Sequence, residues 1–273
     1  MPNLISCDSN TDRIYVHSGI STTITTSFAS PSGELQGLTF DGVNLISCDW
    51  NADKIYVHSG ISATITTSFA SPSTYATGLT FDGVNLISCD WDADKIYVHS
   101  GISATIKTSF ASPSTYATGF TFDGVNLISC DAYADKIYVH SGISATITTS
   151  FASPSTNPQG LTFDGVNLIS CDSNADKIYV HSGISATITT SFASPSGEPQ
   201  GLTFDGVNLI SCDTSADKIY VHSGISATIT TSFASPSTVP SDVTYDDPIV
   251  IWYAAVNTPQ NVSATVEIGR AHV

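Results

Sequence analysis

Acidic side chains in short loops and histidines at a fixed interval are the residues whose types and spacing could do chemistry in this chain. Asp8, Asn10 and Asp12 stand two apart, and the pattern returns as Asp49/Asn51/Asp53, Asp90/Asp92/Asp94 and Asp172/Asn174/Asp176. Oxygen donors spaced by two open a calcium-binding loop. The glycine and distal glutamate of such a loop are missing, Lys54 follows Asp53 directly, and two other copies carry Tyr133 and Ser215 instead. Turn aspartates more commonly accept backbone N–H groups, and a capping role for Asp49 and Asp53 in their own hairpin is the expectation. A second acidic set is Asp41, Asp82, Asp123, Asp164, Asp205 and Asp246. It could ring a channel mouth around a cation, but the Asp-Gly pairs that five of them begin point to tight turns. His17, His58, His99, His140, His181 and His222 are copies of one position, and copies do not converge on one metal unless they lie on a symmetry axis. They are expected to be structural or to form hydrogen bonds between repeats. Catalysis needs unlike groups in unlike roles, whereas glutamate occurs only at Glu34, Glu198 and Glu267 and no Ser/His/Asp order stands out. The expectation is no catalytic residue, no metal ligand and no cofactor.

Where the copies disagree, a different chemistry emerges. One variable cluster comprises Ser9-Asn10, Trp50-Asn51, Trp91-Asp92, Ala132-Tyr133, Ser173-Asn174 and Thr214-Ser215; the other lies at 33–36, 74–77, 115–118, 156–159, 197–200 and 238–241. Trp50, Tyr75, Trp91, Tyr116 and Tyr133 fall in these clusters. Exposed aromatic side chains provide large, stiff contact area by stacking on sugar rings or packing on protein. These five are the candidate ligand-binding residues. Neutral drift in tolerant loops is the competing explanation, and drift does not obviously favour Trp and Tyr.

The elements that must position these residues follow from an internal repeat. GLTFDGVNLISCD begins at Gly37 and returns at Gly78, a step of 41 residues (78 − 37 = 41), and near-copies begin at Gly119, Gly160 and Gly201. Each unit contains four strand-patterned runs, in the first full copy Gly37 to Asp41, Asn44 to Asp49, Ile55 to His58 and Ala63 to Phe69, punctuated by Asp-Gly, Ser-Gly and Pro72. Four short antiparallel strands in about 40 residues describe a β-propeller blade. Strands alternate in direction, so the second-to-third loop and the loop leading to the next unit emerge on one face, which brings both variable clusters together.

The order of features in GLTFDG, NLISCD and DKIYVHS also resembles the NHL-type blade, with its Gly-led first strand, Asn-led second strand ending in Asp, and basic residue before Ile. The resemblance spans the repeats and implies a propeller fold. Asn3 to Asp8 matches Asn44 to Asp49, so the first unit lacks its opening strand, while Val243 to Asp246 supplies a sixth opening strand without the rest of its unit. Joining them gives an all-β, six-bladed β-propeller of about 41-residue four-stranded blades closed by N- and C-terminal strands, which leaves no open sheet edge between the ends. The propeller is assigned to residues 1–256 and a truncated extension or non-native tail to 257–273. Thr258 to Val266 resembles the opening of a fibronectin type III module, and Glu267 to Val273 looks like adapter read-through.

Composition bounds the partners. With 24 acidic against 8 basic residues and a net charge of −16, the chain repels phosphate backbones and anionic lipid, which argues against nucleic acid and membrane partners. The six cysteines repeat at the same 41-residue interval and are expected to be buried free thiols, because copies a blade apart lie beyond disulfide reach. Compartment is not specified, although an extracellular or surface-associated setting suits the reading that follows. The chain is expected to be a non-catalytic binding or scaffolding module for a glycan or protein surface ligand. The alternative is a propeller hydrolase or lactonase with a channel-mouth cation.

Overall fold

The computed structural model describes residues 2–236 and 239–246. Its strands run in chain order as β1 (Leu4–Asp8), β2 (Arg13–His17), β3 (Ile24–Ala29), β4 (Leu35–Phe40), β5 (Leu45–Asp49), β6 (Lys54–His58), β7 (Ile65–Ala70) and β8 (Ala76–Phe81). They continue as β9 (Leu86–Asp90), β10 (Lys95–His99), β11 (Ile106–Ala111), β12 (Ala117–Phe122), β13 (Leu127–Asp131), β14 (Lys136–His140), β15 (Ile147–Ala152) and β16 (Pro158–Phe163). The last are β17 (Leu168–Asp172), β18 (Lys177–His181), β19 (Ile188–Ala193), β20 (Pro199–Phe204), β21 (Leu209–Asp213), β22 (Lys218–His222), β23 (Ile229–Ala234) and β24 (Pro240–Tyr245). Six antiparallel four-stranded sheets result, and in blade 1 the order is β24-β1-β2-β3, so strands from opposite ends of the chain share one sheet. Strand β24 also packs beside β4 and β20, which closes the ring of innermost strands. The fold is the six-bladed β-propeller expected from the repeat. The boundary at 256, the fibronectin-like stretch and the final residues lie outside the described residues.

Two strand starts differ from the sequence expectation by two residues, and other boundaries shift by one. The innermost strand starts at Leu35 rather than Gly37, because a bulge between Leu35 and Gly37 carries the pairing with β5 two residues further. The outermost strand begins at Ile65, since the Thr64 carbonyl is occupied by the Ser59 N–H at 2.7 Å in the preceding turn. Proline opens β16, β20 and β24, the strand position where a missing N–H is tolerated.

Burial explains the strand sequences. All five residues of each LISCD strand are buried, because both faces of that strand meet neighbouring blades. The outer ITTSFA strands are largely exposed and correspondingly rich in threonine. Side chains alternate across each blade. Ile5, Cys7, Ile14 and Val16 of blade 1 meet Leu35, Leu38 and Leu45 of blade 2 in one apolar cluster, and clusters of the same kind fill the other interfaces. The closing interface is built alike, with Ile210, Cys212 and Ile219 of blade 6 against Leu4 and Val243 of blade 1.

Glycine is required where innermost strands crowd the axis. A Cβ on Gly119 would sit 2.3 Å from the Gln159 carbonyl oxygen of the next blade, and one on Gly160 would sit 2.4 Å from that of Gln200.

Candidate functional site

The loop between the second and third strands of each blade is held by its first aspartate. Asp49 accepts the Ala52 N–H at 2.8 Å, as expected. Asp53 does not cap its own hairpin. It takes the left-handed conformation at φ 50°, and its carboxylate accepts the Tyr75 N–H at 3.3 Å, on the segment that leads into the next blade. The same carboxylate-to-crossing bond links Asp12 to Glu34, Asp135 to Asn157, Asp176 to Glu198 and Asp217 to Val239. These aspartates therefore bind the two variable loops to each other. Across the other face, Asp41 accepts the Val43 N–H at 2.7 Å and also the Asn44 side-chain amide at 3.3 Å, which fixes the Asp-Gly turn.

The two loops place all five sequence-selected aromatics together. Trp50 meets Tyr75 with ring centroids 5.5 Å apart, Tyr75 meets Trp91 at 5.8 Å, Trp91 meets Tyr116 at 5.1 Å and Tyr116 meets Tyr133 at 5.3 Å. Every contact is edge-to-face, the arrangement that the ring quadrupole favours. The result is one continuous arc over blades 2, 3 and 4, ending in Tyr133 with 73% of its surface exposed. Blades 5, 6 and 1 carry Asn157, Glu198 and Val239 at the crossing position, so the face is aromatic on one side only.

Two cavities flank the arc. Trp50, Trp91 and Tyr116 border one mouth of the central channel, a cavity of about 450 Å³ lined by Gln36, Gln159, Gln200 and a belt of threonines. Asp242 also faces it, at the position where the other blades have Gly37, Gly78, Gly119, Gly160 and Gly201. Its carboxylate accepts the Leu38 N–H of blade 2 at 3.0 Å and its neighbour Val243 N–H at 2.8 Å, and burial pushes its pKa up to about 6. On the outer side of the arc, Tyr75, Trp91, Asp92, Asp94, Thr115 and Tyr133 line a second cavity of about 530 Å³. The opposite channel mouth, about 620 Å³, is ringed by Phe40 and its equivalents through Tyr245.

The histidines are built into the blade interfaces. His58 Nδ1 lies 2.8 Å from the Ser62 carbonyl oxygen, so Nδ1 carries the proton and donates; Nε2 then accepts the Ser47 hydroxyl proton at 3.0 Å. Both partners belong to the same blade. The contact between blades is the ring itself, 5.4 Å from Phe28 of blade 1. These Ser–His pairs resemble half of a nucleophilic triad, but the ring is fully buried and is oriented by a carbonyl rather than a carboxylate. All six cysteines are buried free thiols. Among the described residues no group of three or more His, Cys, Asp or Glu side chains converges to hold a metal.

Sequence reasoning selected the arc but missed Asp242, whose signal is the single break in the glycine column. It could not have selected Asp94, which is the same residue in every blade and differs only in its surroundings.

No protein-family model and no curated protein matches this chain. Solved structures do. The crystal structure of a nidogen/laminin complex contains a chain similar to this one with a TM-score of 0.77 at 18% identity, covering 91% of this chain and 99% of that one. The computationally designed Ika8 protein is similar with a TM-score of 0.59 at 14% identity, covering 89% of this chain and 74% of its own. At these identities the likeness is one of fold, the β-propeller.

Proposed function

We propose that this propeller is a non-catalytic binding module whose ligand-contact surface is the arc of Trp50, Tyr75, Trp91, Tyr116 and Tyr133, and that the ligand is a glycan or another repetitive surface. The observation that carries this reading is the unbroken edge-to-face contact of those rings on the one face where the blades differ. Random loop drift gives no reason for five aromatics to sit at adjacent positions of three consecutive blades. An edge-to-face arrangement leaves neighbouring ring planes steeply inclined, with interplanar angles of 64° to 89°, so successive units of a bent chain can each find a face. Weak contacts repeated along one polymer would add through effective concentration. A protein surface is the second reading, favoured by the similar propeller having been solved in a nidogen/laminin complex. A hydrolase or lactonase with a channel-mouth cation has less support, since the Asp41 carboxylate is engaged in its turn.

Replacing Trp50 and Trp91 together with alanine tests the reading. Glycan-array and cell-surface binding should fall at least about tenfold, from the loss of about 1 kcal/mol of stacking per ring. Unchanged binding on both platforms would overturn it.

A further inference from the structure

The cavity on the outer side of the arc differs from its counterparts in one respect that points to a charged ligand. In five blade-to-blade crossings the aspartate at the end of the second-to-third loop accepts the N–H of the crossing residue. The crossing from blade 3 to blade 4 breaks the rule. Tyr116 donates its N–H to Asp131 of its own blade at 2.8 Å, and it alone among the crossing residues escapes the left-handed conformation taken by Glu34, Tyr75, Asn157, Glu198 and Val239. Among the described residues no hydrogen bond then reaches the Asp94 carboxylate, which lines the cavity. Asp92 stands beside it, the only aspartate at its repeat position, with one oxygen accepting the Thr74 hydroxyl at 3.0 Å. Three rings, Tyr75, Trp91 and Tyr133, complete the wall, and no lysine or arginine lines it.

Aromatic faces with carboxylates and no competing cation form the environment that attracts an organic ammonium group, through the ring quadrupole and direct charge pairing. We propose that this cavity is a site for an ammonium-bearing saccharide unit, an amino sugar with a free amine, with the amine between Asp92 and Asp94 and the sugar ring against Trp91 and Tyr133. The proposal rests on the glycan reading of the arc and sharpens it: the recognised polymer is cationic. A net charge of −16 works in the same direction by drawing a polycation to the surface.

The test compares the glucosamine tetramer with the N-acetylglucosamine tetramer, a neutral counterpart on the same backbone, by calorimetry and tryptophan fluorescence at low salt. The cationic oligomer should bind at least about tenfold tighter, and the difference should shrink in 0.5 M salt as screening sets in. The Asp92→Asn and Asp94→Asn double variant should bind the two oligomers equally, with an unchanged far-UV spectrum and unfolding midpoint. Trp91→Ala should weaken both. Equal binding of the two oligomers by the unmodified chain would overturn the ammonium site while leaving the glycan reading in place. Preference for the cation that survives the double variant would also overturn it, as would a trimethyllysine peptide that displaces the glucosamine tetramer at lower concentration than free tetramer does. Failure of both oligomers to bind would overturn both readings for this sugar backbone.

Discussion

The buried histidines make a steep acid transition the most demanding test of the structure. His17, His58, His99, His140, His181 and His222 have no solvent-exposed surface, and burial lowers the pKa of each from 6.5. Each is neutral in the fold, and unfolding returns it to water, where it binds a proton below about pH 6.5. The stability it contributes is therefore fully present above that pH and is lost as pH falls toward the lowered native value. Six protons taken up together correspond to a limiting slope of about 8 kcal/mol per pH unit. Buried carboxylates act in the opposite sense. Asp242, raised to about 6, holds a proton in the fold below that pH that it loses on unfolding, which removes about one sixth of the slope. Asp49, Asp90, Asp172 and Asp213 are also raised by burial and oppose the histidines at lower pH. Between pH 6.5 and the native histidine values the net slope is bounded at about 7 kcal/mol per unit, and stability should fall with each step toward acid. Urea unfolding followed by far-UV circular dichroism at half-unit steps from pH 7.5 to 5 would measure it. His140→Gln, which retains a donor for the Ser144 carbonyl but cannot titrate, should lower the slope by up to about 1.4 kcal/mol per pH unit. A stability that changes by less than about 1.4 kcal/mol between pH 7 and 5.5 would refute the assignment of neutral, buried rings.

Thiol chemistry and axis packing supply further checks. Burial pushes the Cys89 and Cys130 pKa values up to about 12 and raises the other four well above the ordinary thiol range, so an aromatic disulfide reagent should label almost no thiol in the native protein and all six after urea denaturation. Stoichiometric labelling of the native state within minutes would contradict the blade interfaces. Gly119→Ala places a Cβ 2.3 Å from the Gln159 carbonyl oxygen and should cost about 1–3 kcal/mol or more, read as a lower urea midpoint. Ser68→Ala, on the exposed outer strand β7, should leave the midpoint within about 0.5 kcal/mol of the unmodified chain.

The architecture was legible because one period fixes it. A 41-residue step, four strand runs per step and the phase offset between Asn3 and Val243 leave closure through both ends as the economical topology, and β24 beside β1 bears it out. The aromatic arc was legible for the complementary reason: Trp50, Tyr75, Trp91, Tyr116 and Tyr133 lie in positions released from the repeat, so their identity is not explained by packing. Residues inside the repeat gave no such signal. Asp53 and Asp94 occupy the same position of the repeat, yet one clamps a crossing and the other faces a cavity, where Tyr116 takes a different backbone conformation. Tyr116 gives its N–H to Asp131 instead, a through-space fact. The Ser47–His58 pair was hidden for a similar reason, since pairing of Ser47 with its opposite strand partner Tyr56 sets the alternation that turns serine and histidine to the same face.

Near-identity of the blades also constrains where function can reside. A symmetric ring repeats every environment six times, and the interfaces use that repetition fully: the same Leu, Ile, Cys, Ser and His positions recur at each junction, so any one of them altered for a ligand would be a defect in packing. Discrimination needs an environment that occurs once. The structure offers two on the same face, the Asp242 carboxylate in a column of glycines and the Asp94 carboxylate without its usual partner, and Trp91 borders the cavity containing each. On the proposed binding reading, a ligand lying along the arc would have a cavity with a carboxylate on either side of it. On that reading, the spacing of positive charge along a ligand, rather than its overall size, is the property this face would select.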